Sequence, residues 1–161
     1  MKKWVIIGLI LFALIVTSAS VYAYTTVRSP ITDGYDQAEQ TLLDSGDLET
    51  VEDISYFHGR DSYYVLRGLD ADGDQAIAWI KQDFEESAIL RKEAEGISAE
   101  EAEAIAVEAV NPNRIQSVKV GIEGNTPLYE IKFISESDQQ GYYYVAFSDG
   151  TFLKRYNLRM D

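Results

Sequence analysis

Two stretches of this chain read alike when one is slid onto the other by about 65 residues, and a repeat of that period limits the fold more than any other feature. Gly59 falls on Gly124, Tyr64 on Tyr129, Leu66 on Ile131 and Gln75 on Gln140. Trp79 falls on Tyr144 and Ile80 on Val145. Such self-similarity implies two copies of one small unit. Each copy opens with a helical pattern and continues with strand-like ones.

In the first copy, Asp33 can cap a helix from about Gly34 to Ser45, with Tyr35, Ala38 and Leu42 on its apolar side and Gly46 ending it. Strand patterns follow at Ile54 to Phe57, Tyr63 to Leu69, Ala76 to Ile80 and, more weakly, Ala88 to Arg91. In the second copy, Ser98-Ala99-Glu100-Glu101 has the capping-box form. The helix it opens carries Ala102, Ile105, Ala106, Ala109 and Val110 at one-face spacing, and Asn111-Pro112 stops it. Ile115 to Ile122, Leu128 to Ile134, Tyr142 to Phe147 and Phe152 to Leu158 read as strands. The expected fold class is α+β, a helix on an antiparallel sheet of three or four strands, twice over. Units this small bury little surface alone, so the two are expected to pack together. The charged stretch from Lys92 to Gly96 marks their boundary.

A different segment precedes them. Lys2 and Lys3 are followed by an uncharged run from Trp4 to Tyr24, long enough to cross a bilayer as a helix. Positive charge on the N-terminal flank alone keeps that end in the cytoplasm and exports the rest. A cleaved signal peptide, with Val21-Tyr22-Ala23 as the small-residue site, is the competing reading and gives the same compartment. The domain plan is therefore 1–28 for a membrane anchor and its flank, 29–95 for the first module and 96–161 for the second.

Beyond the anchor, 27 acidic residues face 12 basic ones, a net charge of −15. That surface argues against nucleic acid and anionic lipid as partners, since both are held by Lys and Arg. The absence of cysteine excludes disulfides, thiol catalysis and cysteine-ligated metal. It is ordinary for exported proteins of bacteria with a single membrane.

No constellation of catalytic residues emerges. His58 is the only histidine and sits in a turn-like Phe57-His58-Gly59-Arg60-Asp61. A general base would need a nucleophile and an orienting group beside it. Asp70-Ala71-Asp72-Gly73-Asp74 places carboxylates as a calcium loop does, yet Gln75 and Lys81 stand where glycine and glutamate belong. A hairpin turn through Asp72-Gly73 is the simpler reading. Asp83, Glu85 and Glu86 read as a solvated acidic turn. No cofactor or metal is expected. The tyrosines are more informative: Tyr63-Tyr64 and Tyr142-Tyr143-Tyr144 lie in strands, where neighbours face opposite sides. Tyr64, Trp79 and Tyr143 are the candidates for a partner-binding surface or, failing that, for the core.

Four segments stand out together with the order of parts: Tyr63-Tyr64-Val65-Leu66-Arg67-Gly68, Ser98-Ala99-Glu100-Glu101-Ala102, Leu128-Tyr129-Glu130-Ile131 and Tyr143-Tyr144-Val145-Ala146-Phe147. By these the chain resembles the TseB-like (YpmB-like) membrane proteins of Bacillus and its relatives, whose last module is PepSY-like. Ser148-Asp149-Gly150-Thr151 departs from the Asp and Thr-Gly common in the last PepSY hairpin. The resemblance implies two cystatin-like modules and a non-enzymatic role in cell-wall elongation through an elongation-specific penicillin-binding protein. It also admits an inhibitor or modulator of an exported peptidase.

Overall fold

The computed structural model describes residues 34–158; the expected anchor and the Asp33 cap lie outside them. Among the described residues no helix is long and apolar enough to cross a membrane.

The first helix, α1, spans residues 34–45. Gly46 ends it in the left-handed region (φ 76°). The Gly46 amide donates to the Leu43 carbonyl (3.2 Å) and the Asp47 amide to the Leu42 carbonyl (3.1 Å), the two bonds of a Schellman cap. Four strands follow: β1 (Thr50–His58), β2 (Ser62–Leu69), β3 (Gln75–Lys81) and β4 (Ile89–Lys92), antiparallel in that order. A 3-10 turn at Glu93–Glu95 leads to helix α2 (Ala99–Val110). The second sheet is β5 (Arg114–Glu123), β6 (Thr126–Ile134), β7 (Gln140–Ala146) and β8 (Phe152–Leu158), again antiparallel in chain order. We call the sheets A and B.

The repeat is exact where it can be measured best. The C-terminal end of α2 lies 65 residues beyond that of α1, and both ends of β7 lie 65 beyond those of β3. Each sheet also carries a register shift in its first strand pair, between Val51 and Asp53 and between Ile115 and Ser117. The Ser98 hydroxyl accepts from the Glu101 amide (3.1 Å) and the Glu101 carboxylate from the Ser98 amide (2.8 Å), so the capping box forms. Asn111 ends α2 in the left-handed region. One expected core position differs: Ala109 is exposed, and α2 buries Ala102 and Ala106. Ala99, Ile105 and Val110 pack beside them, partly buried against the core.

In sheet A, alternation sends Tyr63, Val65 and Trp79 to one face and Tyr64, Leu66 and Ile80 to the other, and both faces are buried. Ala38, Leu42 and Leu48 are buried as well, and the Glu49 amide, donating to the Leu69 carbonyl (2.7 Å), ties the exit of α1 to the end of β2. In sheet B, α2 covers the face of Tyr129, Ile131, Phe133, Tyr143 and Val145. The two modules share one apolar core. Phe57, Val65 and Trp79 of the first belong to the same buried cluster as Ala102, Tyr129 and Phe147 of the second. Trp79 meets Phe147 edge-on, ring centres 6.0 Å apart at 76°. The Phe57 ring lies so close over Gly121 that a methyl group there would come within 2.3 Å of it. Glycine at 121 is thus required by close approach of a side chain.

Candidate interaction surface

The three aromatic residues singled out from the sequence are all interior: Tyr64 and Trp79 are 1% exposed and Tyr143 is 7%. They do not form one group. Tyr64 stacks on Phe84 (5.6 Å, 21°) on one face of sheet A. Trp79 faces the opposite way, into the shared core. Tyr143 lies in sheet B beside Phe152 (5.1 Å). Of the two readings open to them, core residue or partner contact, the structure places all three in the core. The physical reason is that both faces of sheet A are covered, so alternation there exposes neither Tyr64 nor Trp79, and that Tyr143 lies on the face of sheet B that α2 covers.

What remains outside is the far part of sheet B, on the face turned away from α2. Pairing aligns Lys119, Glu130, Tyr144 and Lys154 in one row across the four strands, and Ser117, Lys132, Tyr142 and Tyr156 in the next. The Tyr144 hydroxyl donates to the Glu130 carboxylate (2.6 Å). Burial, and then that carboxylate, push the Tyr144 hydroxyl far above its ordinary value. Lys154 bonds the Glu123 carboxylate. Its ammonium also lies 4.5 Å from the Tyr144 ring centre and 5.4 Å from that of Tyr156. Lys132 stands 5.8 Å from the Tyr142 ring. Cations over tyrosine rings are modestly stabilised, by about 0.5–1 kcal/mol where exposed.

Charge concentrates on this sheet in a way the whole-chain value hides. Its four strands hold five cations, Arg114, Lys119, Lys132, Lys154 and Arg155, and two carboxylates, Glu123 and Glu130. The chain as a whole has a net charge of −13, so sheet B is the basic region of an acidic protein. Sequence reasoning weighed the total and missed this local excess. The signal was present in Phe152-Leu153-Lys154-Arg155-Tyr156-Asn157-Leu158, a strand with no carboxylate.

The other candidate chemistry resolves into turn structure. The Asp70 carboxylate accepts from the Asp72 and Asp74 amides, both at 2.9 Å. The Asp74 amide in particular holds the Asp70 carboxyl below its ordinary range. Gly73, at φ 80°, closes the expected hairpin. The carboxylate oxygens of Asp70, Asp72 and Asp74 do converge within 4.8 Å. The Lys92 ammonium sits among them, 2.7 Å from Asp74, 2.9 Å from Asp72 and 3.4 Å from Asp70. The triad therefore carries its own cation, and those bonds raise the Lys92 ammonium above its usual value. His58 Nδ1 lies 2.8 Å from the Ser62 hydroxyl at an exposed hairpin. Among the described residues no carboxylate bonds that imidazole, so the pair has no orienting group. Asp83 accepts from the Glu85 amide (3.1 Å), and Lys81 bridges to Asp83 and Glu86.

Residues 37–81 match the family described as cell wall elongation regulator TseB-like domain. Residues 96–156 match the family described as peptidase propeptide and YPEB domain. Among curated proteins, the chain is similar to the probable cell wall elongation regulator TseB of Bacillus subtilis (strain 168). It is 32% identical to it over 151 residues, which cover 93% of this chain and 92% of that protein. Among solved structures, the YpmB protein from Bacillus subtilis is similar, with a TM-score of 0.70 and 27% identity over 76% of this chain and 96% of the other.

Proposed function

The chain belongs to the TseB-like family of cell wall elongation regulators, and from that premise we propose that it is a non-enzymatic, membrane-anchored regulator working outside the cytoplasm. The observation that carries the reading is similarity along nearly the whole chain to a protein named for that role. The uncharged run from Trp4 to Tyr24 supports anchoring, and Lys2 and Lys3 support an outward orientation of the modules. The mechanism is positional. An anchor confines the modules to a thin shell above the membrane and raises their effective concentration near other anchored proteins. The target is an elongation-specific penicillin-binding protein, and the contact is made by a folded surface without bond chemistry.

The PepSY match favours a second reading, an inhibitor or modulator of an exported peptidase acting in trans. Crosslinking of the full-length protein in native membranes, followed by identification of co-purifying proteins, separates the two. Enrichment of an elongation penicillin-binding protein is the expected result. Recovery of an exported protease with no wall synthase, together with inhibition of that protease by the chain, would overturn the first reading.

A further inference from the structure

The edge of sheet B is the barest part of the described molecule. Among the described residues five large apolar side chains are exposed, and four belong to β8: Phe152 (53%), Leu153 (40%), Tyr156 (51%) and Leu158 (49%). β8 pairs with β7 on one side and, among the described residues, has no strand on the other. The opposite edge, β5, is flanked by α2, β1 and β2. An unpaired strand side presents amide and carbonyl groups that can template a further strand. Leu153 is the bulge between the Val145–Phe152 and Tyr144–Lys154 pairs. Beyond it, Lys154 to Leu158 run in continuous register with β7, about 17 Å of usable strand.

The side chains of that segment sort by face. Lys154, Tyr156 and Leu158 pair with Tyr144, Tyr142 and Gln140 on the face away from α2, while Arg155 and Asn157 point to the other. Lys154 is already neutralised by Glu123. Among the described residues Arg155 forms no ion pair; it bonds Asn157 weakly (3.4 Å) and lies 5.6 Å from the Phe133 ring. A second copy of the chain fits poorly. Antiparallel pairing centred on Arg155 would set that guanidinium against its own copy, and like charges directly opposite destabilise a strand pair. An anionic lipid surface would ask for several free cations in one plane, and β8 offers one. An acidic strand suits both the free guanidinium and the apolar flank.

We infer that β8 accepts an extended segment of a partner protein as a fifth strand of sheet B. That segment alternates aliphatic residues, set against Tyr156 and Leu158, with acidic residues set against Arg155. Main-chain bonds to the edge supply affinity, and the two faces supply selection. The inference rests on the reading of this chain as a protein that docks on another.

The test uses the full-length protein reconstituted with phosphatidylcholine and a short synthetic peptide of alternating valine and glutamate. Hydrogen exchange is followed residue by residue. The expected result is slowed exchange at alternate β8 amides with this peptide, and none with its valine–lysine counterpart. Arg155→Glu should weaken binding by about tenfold or more, because it converts attraction into repulsion. Arg60→Glu, the same charge change on a sheet A hairpin, should leave binding unchanged and serves as the folded control. No protection of β8, or equal protection with the lysine peptide, overturns the inference. So does protection that appears on phosphatidylglycerol without any peptide, which would assign the surface to lipid. The two readings fail separately. If a penicillin-binding protein crosslinks equally to wild type and Arg155→Glu, the edge is wrong and the regulator stands. If the peptide pairs with β8 while no wall synthase co-purifies, the edge stands and the regulator is wrong.

Discussion

Sheets A and B are copies of one design, yet their faces away from the helical repeat have opposite fates. In sheet A that face holds Val65, Ile77 and Trp79, all buried in the shared core. Sixty-five residues on, sheet B places Glu130, Tyr142 and Tyr144; Tyr144 is buried and donates to Glu130, while Glu130 and Tyr142 are half-buried. One copy uses the face to hold the molecule together; the other keeps it polar and cationic. Duplication doubled the scaffold, and divergence on a single face separated cohesion from contact. A strand position is thus apolar because of what its sheet packs against, and the repeat alone does not fix it.

The sharpest way to break this comparison is to truncate one aromatic residue in the shared core and one on the open edge of sheet B. Trp79→Ala should cost about 3–5 kcal/mol, the usual range for a fully buried large aromatic, measured by denaturant unfolding. Tyr156→Ser, on the exposed edge, should stay within about 0.5 kcal/mol of wild type. Comparable losses at both sites would mean that the edge of sheet B is structural too.

The seam between the modules offers the next test. Gly121→Ala pushes a methyl group into the Phe57 ring, and overpacking of that kind costs about 1–3 kcal/mol. Thermal melts of Gly121→Ala should remain one transition, because the core is shared. Two separated transitions would show that the modules fold independently.

A smaller effect sharpens the polar side. Tyr144→Phe removes the hydroxyl bonded to Glu130, a loss of about 1 kcal/mol. The same hydroxyl sets a pH dependence. Tyr144, Tyr129 and Tyr63 all have folded-state values raised above the ordinary 10.0, chiefly by burial. Groups raised in the fold contribute stability that is complete below the unfolded value and is lost as pH rises through the folded one. Stability should therefore fall above about pH 10, and Tyr144→Phe should flatten that fall. At the acid end, Asp70 and Asp149 are lowered, each by a turn amide. Their contribution is present at neutral pH and disappears as pH drops below the ordinary carboxylate range.

The least effect is expected at the acidic turn. Calcium at millimolar concentration should leave the Asp70–Asp74 amide signals of the wild type in place, because Lys92 occupies the position between the carboxylates. Lys92→Met should render those signals calcium-sensitive. A calcium response in the wild type would show that the lysine yields to the ion.

Much of this was legible in the residues because it is local. The capping box at Ser98 and Glu101, the glycine stop at Gly46, the Asp72-Gly73 turn and the strand periods each depend on contacts within a few positions, and each forms as expected. The 65-residue repeat went further and set the order of all the described helices and strands. Tertiary structure decided what lies across space. Alternation separates Tyr63 from Tyr64 and Tyr143 from Tyr144, but it does not say whether a second layer covers the far face. Tertiary packing put Tyr64, Trp79 and Tyr143 inside and, among the described residues, left the outer edge of β8 open. It also drew Lys92 into a turn some twenty positions earlier in the chain. Such proximity is created by the fold and has no periodicity along the chain from which to read it.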